Sequence, residues 1–199
     1  MDCMEGMKQF PDKYFELAIV DPPYGIGRDG KPKSTSSHGG HKGYKYKGWD
    51  KQIPTSEYFN ALMRVSQNQI IWGANYFTKE LKKSSGWIVW DKGQRIDQAD
   101  GELAYTSFDR ALRIFTLNRC FIGVEGAIHP TQKPIKLYEW LLQKYAKPGD
   151  KILDTHVGSA SSLIACYEMG FDYIGFELDP DYFKAANERL EAFKAQLHF

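Results

Sequence analysis

The sequence is poor in the features that mark secreted, disulfide-bonded or membrane-spanning proteins. Its 199 residues include only three cysteines, Cys3, Cys120 and Cys166, and these form no CxxC pair. An odd set of this kind predicts neither a disulfide framework nor a structural zinc site, and it suits a reducing cytoplasm. No apolar run approaches the roughly 18 residues that cross a membrane, and residues 1–10 lack the apolar segment of a signal peptide. We therefore expect a cytoplasmic protein with no membrane partner.

The chain also lacks a strong excess of either charge. It carries 26 Lys and Arg against 25 Asp and Glu, a formal net charge of +1. No global field attracts a polyanion, so any nucleic-acid surface must be local. The length and the 42% of hydrophobic residues predict one domain over residues 1–199. Two insertions interrupt it, a basic loop at 25–50 and a small region at 92–128.

Short apolar runs alternate with amphipathic stretches. The runs predict strands at residues 15–20, 68–73, 86–91, 112–117, 151–154 and 173–178. Helical spacing of apolar residues predicts helices at 55–67, 75–83, 135–146 and 158–169 and from Pro180 onward. Such alternation is typical of an α/β sheet with helices on both faces, whose ligands lie beyond the carboxyl ends of the strands. Asp21, Asp154 and Glu177 follow predicted strands, so we expect them to share one crevice.

The tetrapeptide Asp21-Pro22-Pro23-Tyr24 directly follows the 15–20 strand. Proline fixes the backbone and has no N–H, so the carbonyls of this turn stay free to accept hydrogen bonds. With the Asp21 carboxylate as a second acceptor and the Tyr24 ring as a flat face, the tetrad suits a planar ring that bears an exocyclic amine. A stiff turn without a binding role is the alternative, since Asp-Pro and Pro-Pro are ordinary turn formers.

Residues 152–179 have the order strand, acidic residue, glycine turn, helix, strand, acidic residue. Gly158 precedes Glu177 by 19 residues, close to the spacing at which a carboxylate binds ribose in dinucleotide sites. The further glycines that admit a pyrophosphate are absent. This favours a nucleoside ligand such as S-adenosylmethionine, although a plain βαβ unit with a glycine turn explains the same residues.

The 25–50 loop combines basic and aromatic side chains. It holds six Lys and Arg against two Asp, together with Tyr44, Tyr46 and Trp49. Such a mixture suits phosphate contact and base stacking, while an ordinary solvated loop is the alternative. The candidate DNA-binding residues are Arg28, Lys31, Lys33, Lys42, Tyr44, Lys45, Tyr46, Lys47 and, outside the loop, Arg95. We assign no residue to a metal.

With the block "HPTQKP" at 129–134, these motifs resemble the amino-methyltransferases of DNA. The tetrad precedes the cofactor segment, as in the circularly permuted β group of DNA adenine-N6 methyltransferases. The stretches "IIWGANYF", "WIVWDKG" and "GELAYTSFDRALRIF" are similar to phage and prophage members. The resemblance implies a Rossmann-like, S-adenosylmethionine-dependent methyltransferase fold, circularly permuted, with a mixed sheet and helices on both faces.

The resemblance also implies an activity: site-specific methylation of the N6 amine of a flipped-out adenine in double-stranded DNA, as in restriction–modification. Asp21 and the Pro22 carbonyl would hold the amine, Pro23 would complete the rigid turn, and Tyr24 would stack on the base. The cofactor residues would be Thr131, Lys133, Asp154, Thr155, Gly158, Ser159, Glu177 and Leu178. Relatives in the β group often dimerise, which leaves a homodimer open.

One motif departs from the family pattern, which reads Asp-Pro-Phe-x-Gly-Ser-Gly-Thr at the glycine turn. Here residues 154–161 read "DTHVGSAS", and Ala160 replaces the second glycine. The change predicts weaker cofactor binding or a different path of the loop, and it keeps a non-catalytic DNA-binding or cofactor-sensing domain open. Cytosine N4 is a nearer rival target, which Asp at the first tetrad position disfavours. RNA or a protein amide is a more distant substrate, and the missing glycines disfavour a nicotinamide oxidoreductase.

Overall fold

A computed structural model describes residues 1–30, 43–94, 99–118 and 120–196. Its sheet consists of β1 (Phe15–Val20), β2 (Ser66–Trp72), β3 (Ile88–Asp91), β4 (Gly101–Thr106), β5 (Arg113–Thr116), β6 (Lys151–Asp154) and β7 (Asp172–Gly175). The helices are α1 (Cys3–Met7), α2 (Ser56–Val65), α3 (Cys120–Val124), α4 (Ile135–Tyr145), α5 (Ser161–Glu168) and α6 (Pro180–Gln196). A short 3-10 turn, Ala74–Tyr76, follows β2.

The seven strands lie in the order β5-β3-β4-β2-β1-β6-β7. β4 runs antiparallel to both of its neighbours, β2 and β3, while the other pairs are parallel. The sheet is therefore mixed, as predicted. The amino-terminal end of β4 lies at the same edge as the carboxyl ends of the parallel strands, which brings its first residues to the edge where ligands bind in such sheets.

Alternate side chains of the central strand face opposite layers of helix. Leu17 and Ile19 of β1 pack in one cluster with residues of α4 and α5. Ala18 and Val20 pack in a second cluster with residues of α1 and α2. Since successive strand residues point to opposite faces, this division confirms the prediction of helices on both faces.

The elements that the sequence predicted well are those with buried apolar runs, such as β1 and β2. The prediction of a helix at 75–83 is wrong, because only the 3-10 turn Ala74–Tyr76 forms there. Phe77 is buried but Tyr76 is 42% exposed, and a short segment without an extended apolar face gains little from helix formation. Strand β4 was not predicted, because it begins with Gly101 and Glu102, a glycine and a charged residue that are depleted in strands.

Within the ranges that the structure describes, no helix combines the length and the apolar character needed to cross a bilayer.

We expect Leu141→Ala to lower the free energy of unfolding by about 2–5 kcal/mol, because Leu141 of α4 is fully buried in the core and truncation leaves a cavity. Leu112→Ala is the matched control: Leu112 is 48% exposed, and its truncation should cost about 0.5 kcal/mol or less. Chemical denaturation measures both. Equal losses in the two variants would contradict the packing of α4 on the sheet.

Candidate functional site

Three carboxylates lie at neighbouring strand ends. Asp21 directly follows β1, Asp154 ends β6, and Glu177 lies two residues beyond β7. β1 and β6 are parallel neighbours, and so are β6 and β7. The structure thus brings the three acidic residues predicted from sequence to one edge of the sheet, the edge at which α/β folds bind ligands.

The Asp21 carboxylate is held on both oxygens. Its Oδ1 accepts a hydrogen bond from the Tyr24 hydroxyl at 2.5 Å, and its Oδ2 lies 2.5 Å from the Lys133 ammonium. The Lys133 ammonium also donates to the Tyr24 hydroxyl at 3.2 Å. Burial raises the pKa of Asp21, and the charge of Lys133 opposes that rise without cancelling it. A carboxylate with charge-assisted partners on both oxygens is rigidly oriented.

The Tyr24 ring was predicted as a flat face that stacks on the base, and the structure packs it against several residues of the protein. It stacks on Tyr76 with ring centroids 5.2 Å apart and planes inclined by 18°, and it meets Phe77 edge-on at 6.0 Å. Its ring also lies directly against Gly73, where a Cβ would overlap the ring carbons. Gly73 has φ +69°, so only glycine combines this backbone with this close approach.

Asp50 anchors the backbone that follows the two prolines. Its Oδ1 accepts hydrogen bonds from the N–H groups of Tyr24 and Gly25 at 2.7 and 2.8 Å, and its Oδ2 accepts one from the Arg28 N–H at 2.7 Å. Asp50 is almost fully buried. The end of the 25–50 segment thus fixes its beginning. Sequence reasoning missed this residue, because no local pattern links positions 22 to 26 residues apart.

Lys133 also forms an ion pair with a residue outside the tetrad, Glu102. The Lys133 ammonium lies 3.1 Å from Glu102 Oε2, and Glu102 Oε1 lies 2.8 Å from the Lys92 ammonium. Lys92 and Lys133 lower the pKa of Glu102 to about 2, against the effect of burial. Four alternating charges therefore run from Asp21 to Lys92. Lys133 was predicted on the cofactor side; its ammonium instead lies on the catalytic tetrad.

Asp154 and Glu177 are oriented by backbone and hydroxyl donors. Asp154 accepts from the His156 N–H at 2.9 Å and from the Ser162 hydroxyl. Glu177 accepts from the N–H groups of Gly158 and Asp179, both at 2.9 Å, which ties the glycine turn to the start of α6. Burial raises the pKa of Asp154 to about 7, although the two hydrogen bonds oppose the rise.

The altered turn residues have partners that the family pattern does not predict. Thr155 Oγ1 lies 2.6 Å from the Tyr58 hydroxyl and 2.9 Å from His156 Nδ1, and the Tyr58 and His156 rings pack edge to face at 5.4 Å. Burial lowers the pKa of His156 to about 4, so this ring is neutral at physiological pH. A hydrogen-bonded set thus replaces the Pro-Phe pair of the pattern.

Ala160 adopts the left-handed backbone that glycine would take, with φ 61° and ψ 16°. Ala160 thus keeps a left-handed, glycine-type conformation, while weaker cofactor binding or a different path of the loop stays a prediction. Alanine pays a steric cost there of roughly 1–2 kcal/mol. Its methyl group is buried against Val157, Ile164, Ala186 and Leu190. Just before it, the Ser159 carbonyl accepts from Arg189 at 2.7 Å.

The 129–134 block lies between the two halves of the site. His129 stacks on Trp49 at 5.3 Å and meets Tyr182 at 4.4 Å, and burial lowers its pKa to about 3. The Thr131 hydroxyl lies 3.2 Å from His129 Nδ1. Gln132 is buried, and its Nε2 has no partner among the described residues. An orphaned buried donor of this kind fits a bound ligand with acceptor groups; sequence reasoning had not selected Gln132.

The predicted DNA-binding residues divide into three groups. Lys31, Lys33, Lys42 and Arg95 lie outside the described residues. Arg28, Lys45 and Tyr46 are exposed, as phosphate or base contact requires. Lys47 and Tyr44 are engaged within the protein: the Lys47 ammonium lies 2.6 Å from both Asp179 and Asp181, and the Tyr44 hydroxyl donates to the Ala127 carbonyl at 3.1 Å. Lys47 is thus held in ion pairs within the protein, and its contact with DNA stays a prediction.

Leu178, predicted at the cofactor, is 70% exposed.

The chain matches a family model described as DNA methylase, the N6/N4 methyltransferase family, over residues 78–188. This is more than half of its length. The chain belongs to this family of DNA methylases. It is also similar to the type II methyltransferase M.HpaI of Haemophilus parainfluenzae, with 24% identity across 96% of this chain and 73% of the relative.

Two solved structures share the fold of this DNA methylase. The crystal structure of an M1.HpyAVI–SAM complex has a TM-score of 0.62 and 19% identity, covering 94% of this chain and 96% of the other. The PvuII DNA methyltransferase, described as cytosine-N4-specific, has a TM-score of 0.64 and 12% identity, covering 98% of this chain and 88% of the other. The Rossmann-like methyltransferase fold expected from sequence is thereby confirmed.

We expect Ala160→Gly to change the free energy of unfolding by less than about 1 kcal/mol, because relief of the left-handed strain offsets the loss of a buried methyl. Ala165→Gly is the matched control. Ala165 is also fully buried but lies inside α5, where glycine is less favourable than alanine, so that variant should lose about 2 kcal/mol. Thermal or urea unfolding compares them. Equal losses would mean that position 160 carries no strain.

Proposed function

We propose that this DNA methylase transfers a methyl group from S-adenosylmethionine to the N6 amine of an adenine that is flipped out of double-stranded DNA. The observation that carries the proposal is the meeting of Asp21 and Tyr24 with the Asp154–Glu177 crevice at one sheet edge. A base inside a duplex cannot reach a recessed acceptor, so extrusion of the base is required.

On the base side, Asp21 and the Pro22 carbonyl accept hydrogen bonds from the amine, and Tyr24 contacts the ring. Two acceptors localise the nitrogen lone pair, which is otherwise delocalised into the ring, and align it for attack. The N–C bond forms as the S–C bond breaks, and the nitrogen then gives up a proton. The raised pKa of Asp21, which burial causes, suits this carboxylate to accept that proton.

On the cofactor side, S-adenosylmethionine supplies an electrophilic methyl on a sulfonium sulfur. The groups available to hold it include two oriented carboxylates, a glycine-type turn and the unpartnered Nε2 of Gln132. We assign to this site Thr131, Gln132, Asp154, Thr155, Gly158, Ser159, Glu177 and Leu178. Lys133 acts beside them through Asp21.

On the DNA side, we propose contacts from Arg28, Lys45 and Tyr46. Further candidates, outside the described residues, are Lys31, Lys33, Lys42 and Arg95. The whole chain would act as a single methyltransferase domain, with 25–50 and 92–128 as its DNA-facing insertions. The likeness to M.HpaI, a type II methyltransferase, supports a role in restriction–modification. A phage origin and a homodimer remain predictions.

Cytosine N4 is the second candidate target, and it is favoured by the shared fold with the cytosine-N4-specific PvuII enzyme. The two proposals differ in product. Incubation with DNA and methyl-labelled cofactor, followed by digestion to nucleosides, should place the label in N6-methyladenine. Label only in N4-methylcytosine would replace the adenine proposal, and no label in DNA would contradict both. Parallel assays with RNA and protein acceptors cover the more distant substrates.

We expect Asp21→Ala to reduce methyl transfer by at least about 1,000-fold, because the variant loses the side-chain acceptor for the amine and its proton. Folding should be largely spared, because Lys133 keeps Glu102 as a partner for its buried charge. Methylation assays and thermal unfolding measure the two effects. Asp12→Ala, which removes an exposed partner of Arg64, is the control and should remain active. If Asp21→Ala methylates DNA normally, the tetrad is a structural turn without a catalytic role.

Cofactor binding should depend on pH through Asp154. Its pKa of about 7 lies above the ordinary value, and a cationic cofactor favours the ionised form, so binding below pH 7 must release a proton. The association constant should fall by about tenfold per pH unit from pH 7 toward 5. Calorimetry at several pH values measures this, and Asp154→Asn should flatten the profile while Asp12→Asn should not. A flat profile for the unaltered protein would contradict this role of Asp154.

A further inference from the structure

The acceptor that the reaction needs is already engaged in this structure. Both oxygens of Asp21 have partners at 2.5 Å, the Tyr24 hydroxyl and the Lys133 ammonium. Each carboxylate oxygen has a further lone pair, so a substrate amine can still donate to Asp21, but the positive charge of Lys133 weakens this carboxylate as an acceptor of the amine hydrogen and of its proton. Movement of Lys133 away from Asp21 would therefore strengthen the acceptor.

Of the two partners of Asp21, Lys133 is the one with a second carboxylate within reach. Its side chain is only 2% exposed, so its charge cannot move into water without a large rearrangement. The rings of Tyr24 and Trp72 flank the ammonium, with centroids at 5.6 and 5.4 Å. The second anionic partner of the ammonium is Glu102, whose Oε2 lies 3.1 Å from it. A buried ammonium needs an anionic partner, so the movement open to it is from one carboxylate toward the other.

Glu102 is available for this exchange because of the direction of β4. The strand is antiparallel to β2, so its second residue lies at the edge where β1 ends. The other oxygen of Glu102 lies 2.8 Å from the Lys92 ammonium. Lys92 and Lys133 thus share one carboxylate, each on its own oxygen, and the positive charge of Lys92 weakens the net attraction of Lys133 toward this ion pair.

We propose that Glu102 is a positioning residue that draws Lys133 away from Asp21, leaving Oδ2 a stronger acceptor for the substrate amine, and that Lys92 limits this withdrawal. The proposal rests on the assignment of Asp21 as the amine acceptor. It predicts that substitutions of Glu102 and of Lys92 change the rate of methyl transfer in opposite directions. Loss of Glu102 leaves Lys133 locked on Asp21, whereas loss of Lys92 leaves Glu102 with a stronger hold on Lys133.

Single-turnover methylation at saturating DNA and cofactor tests this, since it isolates the chemical step from binding. We expect Glu102→Gln to slow the step by about tenfold or more and Lys92→Met to accelerate it by about threefold, corresponding to small changes in barrier height. Glu188→Gln, which removes an exposed charge paired with Lys184 on α6, is the matched control and should leave the rate unchanged. Calorimetry should find cofactor affinity unaltered in all three variants.

The pH profile of the same step gives a second readout. Asp21 faces Lys133, Glu102 and Tyr24, and the charge of Glu102 contributes to its raised pKa after burial and the opposing Lys133. Glu102→Gln should therefore move the acidic limb of the rate profile to lower pH, and Lys92→Met should move it to higher pH. An acidic limb that stays in place in both variants would contradict this role of Glu102.

The outcomes separate cleanly. Opposite changes in rate for Glu102→Gln and Lys92→Met support the proposal. An unchanged Glu102→Gln, or a slowing of the step by both substitutions, overturns it while leaving the proposed function intact. If Glu102→Gln does not fold, Lys92→Met decides alone, because a slower step in that variant contradicts the limiting role of Lys92. Absence of methylation by the unaltered protein overturns the proposed function and this inference together.

Discussion

The candidate active site depends on one buried ammonium, that of Lys133. A charge with 2% exposure costs several kcal/mol to desolvate unless carboxylates surround it. Asp21 and Glu102 supply them, and the three residues come from three distant parts of the chain: the end of β1, the start of β4 and the 129–134 block. The ion pairs therefore form only when β1, β4 and that block have assembled. The arrangement of the candidate catalytic residues therefore depends on the order of the strands in the sheet.

The cofactor half is organised by a different kind of contact. Glu177 accepts two backbone N–H groups, one from the glycine turn and one from the start of α6. Arg189 of α6 donates to the carbonyl before the left-handed Ala160 and pairs with Glu125 at 3.2 Å. These bonds fix a strained backbone from both sides, which is the condition under which such strain persists at functional sites.

Sequence reasoning located the ends of the strands but not the side-chain contacts that form at those ends. Buried apolar runs predicted β1 and β6, and with them the positions of Asp21 and Asp154. Contacts over long separations were beyond local pattern: Asp50 to the tetrad turn, Tyr58 to Thr155, and Glu102 to Lys133. The ion pairs of Lys47 were beyond local pattern for the same reason, since its partners Asp179 and Asp181 lie more than 130 residues away. Residue type indicates which interactions a side chain can make, while topology decides which residue becomes its partner.

The charges that line the cofactor crevice favour a cationic ligand over a dinucleotide. His156 and His129 have pKa values lowered by burial to about 4 and about 3, so neither adds positive charge at neutral pH. The acidic residues at the crevice, Asp154 and Glu177, thus lack histidinium counter-charges. A cationic sulfonium cofactor suits such a field, while a pyrophosphate would be repelled by it. Because Ala160 keeps the glycine-type backbone, the substituted turn offers a ligand the same left-handed backbone that a glycine would provide.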